Sequence, residues 1–162
     1  MDSKAEMFVK RARSEIDSAE ILSAASNRKE LKDTLKIGED STFYSGVISH
    51  AYYAIFYCAK AMLLTDKIET DSPEVHKKTF DGFKRLFIDT GIMDARLLII
   101  YKQMIVRADS LLEIYKQEKK KRGDFTYNTI PQANKDPAEE SIRNAKEFYK
   151  HCDAYMSGKA SQ

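Results

Sequence analysis

Residues 42–65 have the pattern of one long helix with three different faces, and this pattern constrains the fold more than any other segment. On a 3.6-residue repeat, one row of the helix is apolar: Ile48, Tyr52, Ile55, Ala59 and Met62. The next row contains only small side chains, which let another helix come close: Val47, Ala51, Ala54, Cys58 and Ala61. A third row is aromatic and polar together: Gly46, His50, Tyr53, Tyr57 and Lys60. The sequence therefore predicts a central helix whose third face suits a cleft or a subunit contact.

The composition favours one domain with its own core. The chain has 162 residues, of which 43% are hydrophobic and 32% are charged, and this length suits a single domain. The longest uncharged run, residues 41–59, contains Ser, Thr, His and four Tyr, so it is a poor membrane span. The first residues form no apolar signal region. We therefore expect a cytoplasmic protein that does not contact a membrane.

Charge and metal-binding residue types give weaker indications. The net charge of +2 comes from 27 basic and 25 acidic residues, and it does not by itself indicate nucleic-acid binding. Residues 116–122 hold five basic residues and one acidic residue, a pattern typical of a solvated helix end. Cys58 and Cys152 have apolar neighbours, which predicts buried thiols. The three histidines show no metal-ligand spacing, so no cofactor is expected.

Helix signals divide the chain into five predicted helices and predict an all-α, up-and-down antiparallel bundle. They run over about 4–25, 42–65, from the Asp71-Ser72-Pro73 start to Gly91, over 94–120, and from Asp136 to the residue before Gly158. Residues 27–40 are predicted to form a loop or a short helical turn. We expect a single domain over residues 1–158 and a disordered tail over 159–162. The connection 123–135 is long, and long loops in compact domains are often functional.

The segment SHAYYAIF at residues 49–56 resembles the SRAYYAMF-like segment of prokaryotic HEPN domains (higher eukaryotes and prokaryotes nucleotide-binding). Later features follow in a similar order, among them His76, the sequence Asp89-Thr90-Gly91, a long helix and an Arg-containing segment that ends in Tyr. The resemblance covers most of the chain. It implies a dimeric helical bundle that binds nucleotides or cleaves RNA, in some members beside a minimal nucleotidyltransferase.

The stretch 122–128 stands where many members of this family carry an Arg followed by a His. Arg122 matches the pattern, but Tyr127 stands where the His is expected, as in a subgroup with Arg followed by Asp-Tyr. An imidazole titrates near neutral pH and can act as acid or base, whereas a tyrosine with a pKa near 10 is a poor base. Arg122 can still hold a phosphate through two hydrogen bonds. The resemblance therefore favours binding over cleavage.

The candidate site lies where the end of the long helix and the following loop meet the second helix. Its predicted nucleotide- or RNA-binding residues are Arg122, Asp124, Tyr127, Asn128, Tyr53, His50 and Lys121. The catalytic candidates are Arg122 and His50, with His76 as another source of an imidazole. Tyr53 and Tyr57 suit base stacking or a dimer seam, and Tyr52 is expected in the core.

Three functions remain open from the sequence. The leading hypothesis is a nucleotide- or RNA-binding module paired with a nucleotidyltransferase in a toxin–antitoxin-like system. The alternatives are a metal-independent endoribonuclease that uses Arg122 with a noncanonical His, and a non-catalytic interaction protein. We also expect a homodimer or a tight heteromeric complex, because the aromatic and polar row, together with Tyr101 and Tyr115, exceeds what one small bundle readily buries.

Overall fold

The chain folds into a helical bundle around its tyrosine-rich helix. The structure, a computed structural model, describes residues 3–121 and 134–161, except for the side chains of 114, 115 and 117–121. Within these ranges the α-helices are α1 (Ser3–Asn27), α2 (Lys29–Leu35), α3 (Tyr44–Thr65), α4 (Val75–Phe83), α5 (Ala95–Lys121) and α6 (Lys135–Ala160). The described residues contain no strand, so the predicted all-α bundle is confirmed.

The helix boundaries differ from the prediction in three places. Within the stretch predicted as a loop or a short helical turn, residues 29–35 form the regular helix α2. The predicted start at Pro73 is wrong by two residues, because Glu74 has a left-handed backbone (φ 60°) and α4 begins at Val75. A π-helical turn, Lys84–Ile88, continues α4. The last helix extends to Ala160, past residue 158, and Lys159 Nζ lies 3.0 Å from Asp66 Oδ1.

Helix α3 lies at the centre and packs against α1, α4, α5 and α6. Its row of small side chains is fully buried, as predicted: Val47, Ala51, Ala54, Cys58 and Ala61. Because these side chains are short, α6 comes close enough for Cys152 Sγ to donate to the Cys58 carbonyl oxygen at 3.4 Å. Among the described helices, α3 has the length and composition of a membrane span, and 67% of its most apolar stretch is buried in the bundle.

An aromatic core joins α4, α5 and α6. Phe83, Phe87, Tyr101 and Phe148 are all fully buried. Tyr101 lies flat against Phe80, with ring centroids 5.2 Å apart and an interplanar angle of 6°. The single bundle therefore buries Tyr101 without a second subunit, contrary to the expectation that counted this residue toward a dimer. The side chain of Tyr115 lies outside the described residues.

The third row of α3 packs largely against α1, so most of it is not the open face that the sequence suggested. At Gly46 the two helices are so close that a Cβ atom would lie 2.8 Å from Leu22 Cδ1. Tyr57 stacks on Phe8 with ring centroids 5.7 Å apart. Tyr53 stays accessible beside α1, with 37% of its surface exposed. Tyr53 therefore marks where the α3 face becomes accessible.

Candidate functional site

The first part of the site is an ionic group between α1 and α3. Glu15 of α1 is 5% exposed, and its two carboxylate oxygens bind different partners. Oε2 lies 2.5 Å from His50 Nδ1, and Oε1 accepts a hydrogen bond from Arg11 Nε at 2.8 Å. The two hydrogen bonds satisfy a buried carboxylate that would otherwise be unfavourable in this position.

Glu15 fixes the orientation of the His50 imidazole. A carboxylate oxygen accepts hydrogen bonds, so Nδ1 of His50 carries the proton in this contact. In the neutral ring the other nitrogen, Nε2, is then an acceptor. The His50 side chain remains 38% exposed, so the ring is held in a fixed orientation and is accessible from solvent. This is the arrangement in which a carboxylate orients a histidine that acts as a base.

Tyr53 lies one helical turn from His50 and belongs to an aromatic cluster. Its ring stacks on Tyr57, with centroids 6.1 Å apart, and lies edge-on to His76, with centroids 5.9 Å apart. Arg11 lies over the ring of Tyr57 at 5.6 Å, and this guanidinium is mostly exposed. An accessible aromatic ring beside a cation can stack on a base and attract its phosphate.

The second part of the site is His76, which comes from α4 and meets α3 from the other side. The imidazole stacks on Phe56 with centroids 4.2 Å apart, and its Nδ1 lies 2.8 Å from the Tyr52 hydroxyl oxygen. Tyr52 is half-buried rather than fully in the core. The Tyr52–His76 hydrogen bond and the Phe56 stack therefore hold the ring in one orientation.

Protonation of this pair follows from burial. Burial lowers the pKa of His76, and the positive charge of Lys60 lowers it further, so His76 is neutral at neutral pH. Burial raises the pKa of Tyr52 to about 12, with smaller contributions from Tyr53 and Asp109. Tyr52 therefore keeps its proton, and His76 is its one hydrogen-bond partner among the described residues. We predict that Tyr52 donates to Nδ1 of His76, which leaves the ring proton on Nε2 as a donor.

An open groove of about 510 Å³ begins at His76 and runs between α3, α4 and α5. We call it the His76 groove, and it is lined by Tyr52, His76, Lys77, Phe80, Lys102, Ile105, Val106 and Asp109. Most of its lining is apolar, with a few polar groups at the edges, which is typical of small-molecule sites. Within the described residues, no group of three or more His, Cys, Asp or Glu side chains lies close enough together to hold a metal ion.

The structure tests only part of the predicted residue set. It brings Tyr53 to the accessible face and gives His50 a carboxylate partner. Arg122, Asp124, Tyr127 and Asn128 lie outside the described residues, as does the side chain of Lys121. Their role therefore stays a prediction.

Sequence reasoning missed Glu15, the Tyr52–His76 pair and the groove. Glu15 had a signal, because it lies in the same helical register as Phe8, Ala12 and Ala19. A carboxylate inside an apolar stripe indicates a buried partner. The pairing of His76 with Tyr52 had no comparable signal, since the neighbours of His76 on α3 lie 20 to 24 positions earlier in the chain.

Comparison with known proteins gives two findings. A family model described as HEPN domain matches residues 5–155. A protein of Methanocaldococcus jannaschii named "Putative toxin" is 35% identical to this chain over 85 residues. The aligned part covers 49% of this chain and 55% of that protein, so the chain spans about half the length of the relative it matches.

Proposed function

The chain belongs to the HEPN domain family, and from that premise we propose that it is a toxin-like, cytoplasmic module that binds nucleotides or RNA. We further propose that it works in a pair with a minimal nucleotidyltransferase, as the resemblance to paired members of the family implies. The relative named "Putative toxin" supports the assignment of this chain as the toxin-like member of the pair. The observation that carries the binding function is the accessible face around Tyr53, which combines a stacking ring, two imidazoles and the Arg11 guanidinium.

The chemistry of this face suits single-stranded RNA better than a duplex. Every base presents a π-face, and stacking on an aromatic side chain contributes roughly 1–3 kcal/mol per base. Cations beside the rings favour the phosphates of the same strand. The predicted phosphate contact is Arg122, which follows the basic end of α5 in the sequence.

The test is a titration of the chain with a short single-stranded oligoribonucleotide at low salt. Arg122→Ala should weaken binding about tenfold, because a charge-assisted contact is lost. Tyr53→Ala should also weaken binding by a factor of about five or more. Arg143→Ala changes an exposed arginine on α6 and should bind as the unmodified chain does. Equal affinity in all four proteins, or no binding in any, would contradict the proposal.

A second candidate function is metal-independent RNA cleavage, and the Glu15–His50 pair favours it. Nε2 of His50 could take the proton of a ribose 2′-hydroxyl while the 2′-oxygen attacks phosphorus. The bond to the 5′-oxygen breaks, a 2′,3′-cyclic phosphate forms, and the leaving 5′-oxygen takes a proton from water. Incubating end-labelled RNA with the chain and with His50→Gln tests this. Cleavage that His50→Gln abolishes supports it, and intact RNA with the unmodified chain rejects it.

The proposed partners can be tested separately. The proposed homodimer and the proposed nucleotidyltransferase partner both rest on the family resemblance. Light scattering at micromolar concentration should give the mass of a homodimer. Purification from the native cells should recover a nucleotidyltransferase. A monomer with no co-purifying protein would contradict both parts.

A further inference from the structure

The His76 groove has rigid aromatic walls. One face of Phe80 lies against the fully buried Tyr101, so the ring cannot turn without disturbing the core. His76 is held by the Phe56 stack and by the Tyr52 hydroxyl. A planar ligand that enters the groove therefore meets side chains that are already ordered, and less conformational entropy is lost on binding.

The charged side chains at the edges of the groove form no ion pairs within the described residues. Lys77, Lys102 and Asp109 are charged side chains at the groove surface, and none forms an ion pair with another residue in the part of the chain that the structure describes. Lys102, Val106 and Asp109 are spaced by four and three residues on α5, so they line one face of that helix. The groove thus presents Lys77 from α4 on one side of an apolar floor, and Lys102 and Asp109 from α5 on the other.

These groups match the parts of a nucleotide. A base fits the apolar and aromatic floor, a phosphate fits the two lysines, and a ribose hydroxyl can donate to the Asp109 carboxylate. The Nε2–H of His76 offers a hydrogen bond to a carbonyl oxygen or ring nitrogen of the base. The volume of about 510 Å³ lies within the range of roughly 300–1,000 Å³ typical of ligand pockets.

We propose that the His76 groove binds one nucleoside phosphate unit, with its base against Phe80, its phosphate at Lys77 and Lys102, and its ribose at Asp109. This inference rests on the proposed nucleotide- or RNA-binding function, and it adds a binding site made from residues that the Arg122 motif does not include. The unit is either a free nucleotide or one residue of an RNA strand, since both present the same chemistry.

The experiment uses the full chain and calorimetric titration with adenosine 5′-monophosphate, uridine 5′-monophosphate and a ten-residue oligoribonucleotide. Lys102→Glu reverses the phosphate contact, and Val106→Trp fills the groove at an exposed position. Both should weaken binding at least about tenfold. Lys150→Glu makes the same charge change on an exposed residue of α6, away from the groove lining, and should bind as the unmodified chain does. Circular dichroism checks that all variants fold.

Asp109→Asn provides a second, independent readout. If Asp109 holds a ribose 2′-hydroxyl, the unmodified chain should prefer the ribonucleotide over the 2′-deoxyribonucleotide, because the 2′-hydroxyl distinguishes RNA from DNA. Asp109→Asn should reduce this preference at least severalfold. A preference that Asp109→Asn leaves unchanged would overturn the assignment of the ribose position.

The outcomes separate the groove from the proposed function. Loss of mononucleotide binding in Lys102→Glu and Val106→Trp indicates a free nucleotide, and loss confined to the oligoribonucleotide indicates an RNA residue. If the unmodified chain binds the oligoribonucleotide and both groove variants bind every probe equally well, the groove inference fails while the proposed function stands. If the unmodified chain binds none of the probes, both fail.

Discussion

His50 lies one helical turn from Tyr53 on α3, whereas His76 comes from α4 and packs against the Tyr53 ring. The two histidines differ in the group that binds their Nδ1 atom. His50 donates to the buried carboxylate of Glu15 on α1, whereas His76 bonds to the hydroxyl of Tyr52 on α3, from which we predict that it accepts. The neutral rings therefore present opposite chemistry to solvent: an acceptor nitrogen at His50 and a donor N–H at His76. Two histidines of one face are thus prepared for different tasks by their neighbours.

The two sides of α3 also differ in whether their charged groups stabilise the fold or remain free to bind a ligand. On the His50 side, the charged groups of α1 already pair with the imidazole and with each other. The His76 side opens into a groove whose lysines and carboxylate have no ion-pair partner in the described part of the chain. Substitution of the buried Glu15 should therefore mainly change stability, and substitutions of the groove lysines and Asp109 should mainly change affinity.

The largest effect should come from Glu15→Ala. This change removes the buried carboxylate that joins α1 to His50 on α3. Since a hydrogen bond to a charged group contributes about 1.5–3 kcal/mol, the free energy of unfolding should fall by an amount in this range. Urea denaturation measures it. Asp17→Ala on the same helix removes an exposed pair with Arg13 and should change stability by less than about 0.5 kcal/mol. Equal effects of the two changes would show that Glu15 does not stabilise the α1–α3 contact.

A smaller effect should come from Tyr52→Phe. The variant keeps the ring and removes the hydroxyl that donates to His76, so the free energy of unfolding should fall by about 1 kcal/mol. Tyr53→Phe removes the hydroxyl of the more exposed neighbouring tyrosine and serves as the matched control, with little change expected. Chemical denaturation of the two variants side by side checks this. A Tyr52→Phe protein as stable as the control would mean that the hydrogen bond to His76 contributes nothing.

Protonation of His76 should make the folded chain less stable as the pH falls. The pKa of His76 is lower in the folded chain than its ordinary value of about 6.5, so the unfolded chain binds the proton more readily in the window just below pH 6.5. Stability should therefore fall as the pH drops from about 6.5 through the pKa of the folded state. In His76→Gln the melting temperature should fall less steeply over this window. Parallel pH curves for the two proteins would contradict the lowered pKa.

The smallest effect should come from Lys60→Met. Lys60 is the second cause of the lowered pKa of His76, after burial, so removal of its charge should raise that pKa slightly and leave it below the ordinary value. An NMR titration of the His76 imidazole measures the shift. A pKa of His76 that does not change would show that the charge of Lys60 does not act on this ring.

The sequence predicted the parts of the fold that depend on local periodicity. The row of small residues in α3 is buried from Val47 to Ala61, because side chains at this spacing share one helix face. His50 and Tyr53 lie on one face for the same reason.

The rest of the site depends on contacts between distant segments, which periodicity does not encode. His76 reaches Tyr52 because the chain between α3 and α4 turns back through left-handed residues at Lys67 and Glu74. Neither is a glycine, the residue that most readily adopts this backbone, so the path of the turn was not evident. The burial of the α3 tyrosines by α1 likewise follows from packing rather than from the α3 sequence.

The most direct test of the contrast between the two histidines is a ¹⁵N–¹H spectrum of the imidazoles, since the chain contains only three histidines. At neutral pH we predict that His76 carries its proton on Nε2, whereas Nδ1 is protonated in His50. Addition of adenosine 5′-monophosphate should shift the His76 signals and leave those of His50 in place. Protonation of His76 on Nδ1, or a shift confined to His50, would contradict the account.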